Sequence, residues 1–453
     1  MRGGLSSFLL LSVACGTVGE PSDPVVAELD DPVGGEGGDR DEDPLERRTC
    51  TCTDGALQSD EAIAAYAGCT DIDGNLRILG DGVTSLVGLE DVRTVSGSVL
   101  IGSDTLLEDV DGLGNLTTVE GLVVLQNNPR LLDAGGLSAL SSAQGLLIYG
   151  NSLLERVVVH PGFTAIELEI NASPALRGLP AMEITSSLTL ADVPHVTAAD
   201  DLVLAPDMVL VVVSHTGLVD LDFFDTLAHI DNLSITENPV LLDISGLSSV
   251  SSVQYLTIRD NGGLEDLAGL EGLVGCDALA LRDSPQLVDV SALSSLTELN
   301  TLTLGGDLDQ VDFGGLSGLT TVREKLLLDG LIADDLVGLE NLETVGELTI
   351  SSTEGLRSLD GLEGVRTAHA VMVLDNDALE SLAGLRNLES VDQSVQVMVN
   401  PALTELGLDS LTQVDGPLVI QRNPLLSQCD AEAFAVSVTA TERTVDSNGP
   451  CTP

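Results

Sequence analysis

The sequence predicts an all-β fold, a parallel β-solenoid of about 16 rungs of about 23 residues, and three columns of residues predict it. The first column is aliphatic. It runs Leu76, Val99, Val123, Leu146, Leu168, Leu188, Leu210, Leu233, Leu256, Leu279, Leu302, Leu326, Leu348, Met372, Val395, Leu418. Each member opens a short alternating segment such as Asn232-Leu233-Ser234-Ile235, the pattern of a strand with one buried face. The second column lies five residues further on and is small and polar: Asp81, Asp104, Asn128, Asn151, Ser173, Asn238, Asn261, Ser284, Asp307, Thr353, Asp377, Asn400 and Asn423. Asn and Asp accept turn backbone and hydrogen-bond it, so this column reads as a turn ladder, broken at Val193 and His215. The third is Gly-Leu, as at Gly88-Leu89, Gly246-Leu247 and Gly384-Leu385, a tight corner with Leu turned inward. One rung's aliphatics cannot offset the entropy of ordering about 23 residues, so neighbouring rungs must share a core.

The elements follow in chain order. Residues 1–15 read as an export signal: Arg2, then an apolar run from Leu5 to Ala14 too short to span a bilayer. The run ends Ser12-Val13-Ala14-Cys15, which resembles the lipobox of bacterial lipoproteins, with Ser12 where Leu is usual. That resemblance implies lipidation at Cys15, a membrane anchor there and, with Gly16 following, retention at the outer membrane or cell surface. Ordinary secretion with Cys15 in a discarded peptide is the alternative. Residues 16–49 hold eleven acidic and three basic residues with Pro21, Pro24, Pro32 and Pro44, the composition of a disordered tether. Residues 50–73 form an N-terminal cap, with a helix expected over Ser59 to Ala67, Ser59 as N-cap and Gly68 as the stop signal. The repeats occupy 74–426, and 427–453 closes the chain as a C-terminal cap. Within the repeats, 146–232 lacks the Gly-Leu corner, which marks either a seam between two fused arrays or an altered face.

Composition narrows the function. The net charge is −54, so nucleic acid is excluded as a partner, because phosphate binding needs clustered Lys and Arg. Cations or basic proteins fit such a surface better. Beyond Cys15, the cysteines are Cys50, Cys52, Cys69, Cys276, Cys429 and Cys451. In an exported chain they read as a sparse disulfide set. Cys429 with Cys451 is the better pair, Cys52 or Cys50 with Cys69 is the other, and Cys276 reads as a buried free thiol; spacing does not decide the connectivity.

Chemistry is scarce. Asp220, Asp243, Asp266, Asp289 and Asp312 recur at 23-residue intervals, with Asp109, Asp133 and Glu405 equivalent to them. Stacked carboxylates would repel by roughly 0.9 kcal/mol per pair in water, so the column could hold Ca²⁺. The alternative is that each Asp caps its own turn and faces solvent. Gly34 to Asp39 matches the start of a calcium β-roll once, within the tether. Asp39, Asp41 and Asp43 imitate an EF-hand but place Pro44 where its Gly belongs. The histidines share no metal spacing, and no nucleophile elbow, P-loop or dinucleotide fingerprint is present.

Two stretches carry a resemblance. Cys69-Thr70-Asp71-Ile72-Asp73-Gly74-Asn75-Leu76-Arg77-Ile78 resembles the opening of the receptor L domain, a relative of leucine-rich repeats. Asn423-Pro424-Leu425-Leu426-Ser427-Gln428-Cys429 with Cys451 resembles that family's disulfide-bonded cap. The resemblance spans roughly 50–451 and implies a right-handed parallel β-solenoid. Receptor lobes have far fewer rungs, so hormone binding does not carry over. The expectation is a non-catalytic surface protein that presents its solenoid to a protein or glycan ligand, for adhesion, recognition or envelope structure, with specificity in 146–232. The competing expectation is a β-helix polysaccharide lyase or hydrolase with an acidic cleft.

Overall fold

A rung is built from alternation followed by a turn. In the strand Ser252–Arg259, Val253, Leu256 and Ile258 point inward and are at most 1% exposed. Asp260 then adopts φ 54°, Asn261 turns inward, and Leu264, Leu267, Leu270 and Leu273 complete the core before the next strand, Gly275–Arg282, begins. This is a computed structural model that describes residues 47–451 apart from 53, 54, 104 and 309. The signal segment, Cys15, Asp104, and the Gly34 and Asp39 motifs lie outside the described residues.

The strands stack in parallel, and their register gives the column Leu76, Val99, Val123, Leu146, Leu168, Leu188, Val211, Leu233, Leu256 and onward to Leu418 and Arg443. It is an all-parallel β-solenoid of 17 rungs, and the registers include no link between Leu76–Leu79 and Glu442–Asp446 among the described residues.

Three sequence readings are corrected by this register. Val211, not Leu210, is the buried member of its rung, and Val371, not Met372, of another. Both sit in unbroken apolar runs, Met208–Val213 and Ala370–Leu374, where alternation cannot set the phase. The third is the seventeenth strand, Glu442–Asp446, inside the segment assigned to the cap. It was hidden because Arg443 stands where every other rung has an aliphatic residue. There its guanidinium donates to the Ala435 and Val438 carbonyls, both at 2.7 Å.

The phase correction mends the turn ladder. Thr216 and Asn376, both buried, occupy the slots assigned to His215 and Asp377. Asn128 Nδ2 donates to Asn151 Oδ1 at 3.1 Å, Asn238 to Asn261 at 3.2 Å and Asn376 to Asn400 at 2.9 Å. The last run continues through Asn423 to Asn448 and ends on Gln428. Asp81 and Asp307 are not buried and stand outside this network, whereas Thr105 donates to Asn128. Val193 is a true apolar break, fully buried. One residue earlier, the backbone is left-handed on all 17 rungs, from Gly80 (φ 98°) to Ser447 (φ 58°). At the corners, a Cβ on Gly136 or Gly384 would collide with the carbonyl of Val110 or Leu359 on the rung before, so only glycine lets the coils close up there.

The stretch 146–232 is continuous with the rest. Its strands Phe163–Asn171, Met182–Val193 and Asp207–Thr216 pair in parallel with each other and with their regular neighbours, with one register shift between Ala165 and Glu167. Arg47–Pro453 forms one compact unit. The rung from Leu168 to Leu188 is only 20 residues long. Near it Phe163, Phe224, Met182 and Met208 supply buried bulk.

Both ends are closed. At the first strand's edge, Leu57 donates to the Arg77 carbonyl at 2.7 Å and accepts from Leu79 at 3.0 Å. Helix α1 (Asp60–Ala64) is shorter than expected but keeps Ser59 as N-cap, and Ile63 seals the core. At the other end, α2 (Gln428–Ser437) buries Ala431 and Ala435. It is tied by Cys429–Cys451, Cα–Cα 5.2 Å. The N-terminal disulfide is Cys50–Cys69, Cα–Cα 5.9 Å, which corrects the assignment of Cys52. Cys52 is a free thiol that packs on the core and hydrogen-bonds Tyr66. Cys276 is a buried free thiol whose burial pushes its pKa up to about 12.

Candidate ligand-binding site

Residues that alternate outward form the exposed face of the ladder. Leu100 and Leu147 are half-buried there and Val124 is just buried; Thr189, Ser234, Thr257 and Thr303 follow on central rungs, then Leu327, Met372 and Val419. The central rungs also carry Arg259 and Arg282 in register, each beside carboxylates: Arg259 with Glu237 (3.1 Å) and Asp260 (3.1 Å), Arg282 with Asp329 (3.5 Å). Arg282 reaches two rungs because Gly305 between them has no side chain to block it. These cations are partnered and outnumbered by their carboxylates, so the face stays acidic there.

The register is disturbed between Ala165 and Glu167, where a bulge turns Ile166 outward, 53% exposed. A groove of about 410 Å³ opens beside it. Thr118, Ser142 and Thr164 stand in register along the groove on three successive rungs. Among the described residues their hydroxyls have no side-chain hydrogen bond. Gln144 and Glu120 add an amide and a carboxylate, and Val119, Ala143 and Ala165 are the buried floor. The Gln144 carbonyl accepts from Ile166 N at 2.8 Å and fixes the bulge.

Glu167 and Glu169 follow on the same strand, two residues apart and so on one face. Burial raises the Glu169 pKa above the ordinary glutamate range, and the Glu167 charge adds to the shift. Burial also raises that of Tyr149, with Glu169 contributing. The glutamate pair and four of the groove's lining residues, Thr164, Ala165, Ile166 and Thr185, lie in the irregular stretch 146–232, whereas the other six, from Thr118 to Gln144, precede it.

The acidic column is engaged by its own backbone. Oδ1 of Asp220, Asp243, Asp266, Asp289 and Asp312 accepts the N–H two residues on, at 3.4, 2.6, 2.9, 2.7 and 2.8 Å. Asp109 and Asp133 do the same, while Glu405 accepts from the Ser381 hydroxyl at 2.8 Å. In most of these rungs the Asp thereby caps a short 3₁₀ turn, such as Ser245–Leu247. Hydrogen bonds to Ser291 lower the Asp289 pKa. Arg156, bidentate on Asp133, lowers that of Asp133. Among the described residues no three His, Cys, Asp or Glu side chains are grouped to hold a metal ion.

Residues 68–134 match the family model described as Receptor L domain. That L-domain segment begins one residue before Cys69 and takes in the first rungs, where the opening motif lies. Its fold is typical of protein-binding modules. Among solved structures, an internalin from Listeria monocytogenes is 14% identical over 86% of this chain and 84% of its own, with a TM-score of 0.32. A leucine-rich-repeat protein of Leptospira interrogans is 15% identical over 88% and 96%, with a TM-score of 0.35. At those scores neither likeness transfers a ligand. No curated protein matches the chain.

Proposed function

We propose that this protein is a non-catalytic lipoprotein of the outer membrane or cell surface that recognises a protein or glycan through the groove beside Ile166. The reading rests above all on that groove: it opens where the repeat departs from its own pattern, and among the described residues the Thr118, Ser142 and Thr164 hydroxyls make no side-chain hydrogen bond. A uniform ladder presents the same face on every rung, whereas one bulged rung gives a ligand a place to be selected. Disulfides and the lack of a helix long and apolar enough to cross a membrane, among the described residues, are compatible with export. Anchoring is proposed at Cys15, and Cys15→Ser should abolish incorporation of labelled fatty acid; undiminished labelling would refute the anchor.

The test of the groove is a chimera with regular rungs in place of 146–232, used to capture ligand from the native envelope. The chimera should keep its circular dichroism and lose what the parent captures. Equal capture by both would discard the groove.

The acidic pair Glu167 and Glu169 favours one alternative, a polysaccharide lyase or hydrolase, because two neighbouring carboxyls, one with its pKa raised by burial, are the equipment of acid–base chemistry. Cleavage of a polyuronate by the parent but not by Glu169→Gln would establish it.

A further inference from the structure

Each rung corner is roofed by the next corner, except at the end of the stack. The corner from Thr404 to Leu411 is covered by α2, and a helix does not fill the space that a flat coil would. A cavity of about 400 Å³ results. Its floor is aliphatic: Leu406, Leu408, Leu411 and Leu426 are all buried. One wall is Phe434, half-buried, while Phe163, Phe223, Phe224 and Phe313 are all buried. The rim carries the exposed carboxylates Glu405, Asp409 and Asp430, and no Lys, Arg or His lines the cavity.

We propose that this cavity is a docking site for a basic segment of a partner protein, which inserts one arginine or lysine side chain. The alkyl stem would lie along Leu406 and Leu408, as long basic side chains cover apolar surface while keeping their charge at a polar rim. The charge would lie against the Phe434 ring and among the carboxylates, an arrangement that favours a cation over a neutral group of equal size. The cavity belongs to the corner that α2 covers. It is separate from the groove beside Ile166, so either can fail without the other.

The experiment uses the full chain and a fluorescein-labelled peptide of sequence Gly-Ser-Leu-Arg-Leu-Ser-Gly, followed by anisotropy. The parent should bind, and the citrulline peptide should bind at least about tenfold more weakly, as should the double variant Glu405→Gln/Asp409→Asn, since one charge-assisted contact is worth about a factor of ten. Phe434→Leu, which keeps the packing volume, should weaken binding severalfold. The control Asp243→Asn/Asp266→Asn removes equal charge elsewhere and should bind as the parent does. Equal weakening by control and rim variants would mean attraction to the general negative charge and would overturn the site. Binding of hexylammonium as tight as that of the peptide would also overturn it, by assigning the cavity to a small amine.

Discussion

Val399 is held at φ 59° and is the β-branched member of a column that on nine other rungs is Gly, Asn or Asp. A left-handed L-residue with a branched Cβ costs about 1–2 kcal/mol, and this one is 37% exposed, so little burial offsets the strain. Val399→Asn is therefore expected to stabilise by about 1 kcal/mol, read as a rise in the melting temperature. A fall would show that its side-chain packing outweighs the backbone. Glu169 sets a pH dependence of the opposite kind from an ion-paired carboxylate. Its folded pKa is raised by burial, so the native state holds its proton more tightly than the unfolded chain does. The penalty is absent below the ordinary glutamate pKa, near about 4, and grows as pH rises through the folded value. Glu169→Gln should raise the melting temperature at pH 7 and leave it nearly unchanged below pH 4.

At the scale of one element, the asparagine ladder and the acidic column show how a repeated residue can be structural. Asn376 accepts from the Thr353 amide and hydroxyl at 3.1 and 2.8 Å and donates to Ile350 O and Asn400 Oδ1 at 3.1 and 2.9 Å. Asn376→Ala leaves these buried partners unpaired and should cost at least about 2 kcal/mol, by chemical denaturation. The carboxylates of the Asp220-to-Asp312 column are similarly committed to backbone N–H groups. Millimolar calcium should thus shift melting no more than sodium chloride of matched ionic strength; a distinctly larger shift would restore the metal reading. The aliphatic and turn columns were legible because each position meets the same surroundings on every rung. The phase at Leu210 and Met372 was not, since a run without polar residues offers the strand two equivalent faces.

Across the solenoid, each rung touches mainly its neighbours, so a local loss should stay local. Replacing Cys429 and Cys451 with serine removes a link across 22 residues of sequence at one end. The expected cost is about 2–4 kcal/mol, seen as faster hydrogen exchange in Pro417–Gln421 and Glu442–Asp446, with strands such as Gly275–Arg282 unaffected. Uniform acceleration would mean that the stack opens as one unit.

The sequence by itself determined the repeat, the parallel stacking, the buried aliphatic column and the asparagine turns, because each follows from periodicity, and it made Cys429 with Cys451 the better pair by nearness along the chain. Only the tertiary structure decided that Cys50 rather than Cys52 meets Cys69, that Arg443 ends the ladder as a seventeenth rung, and that cavities open beside Ile166 and under α2. Those outcomes depend on which backbone groups one coil leaves for the next, and that is settled by packing between rungs rather than by the residues of any one of them.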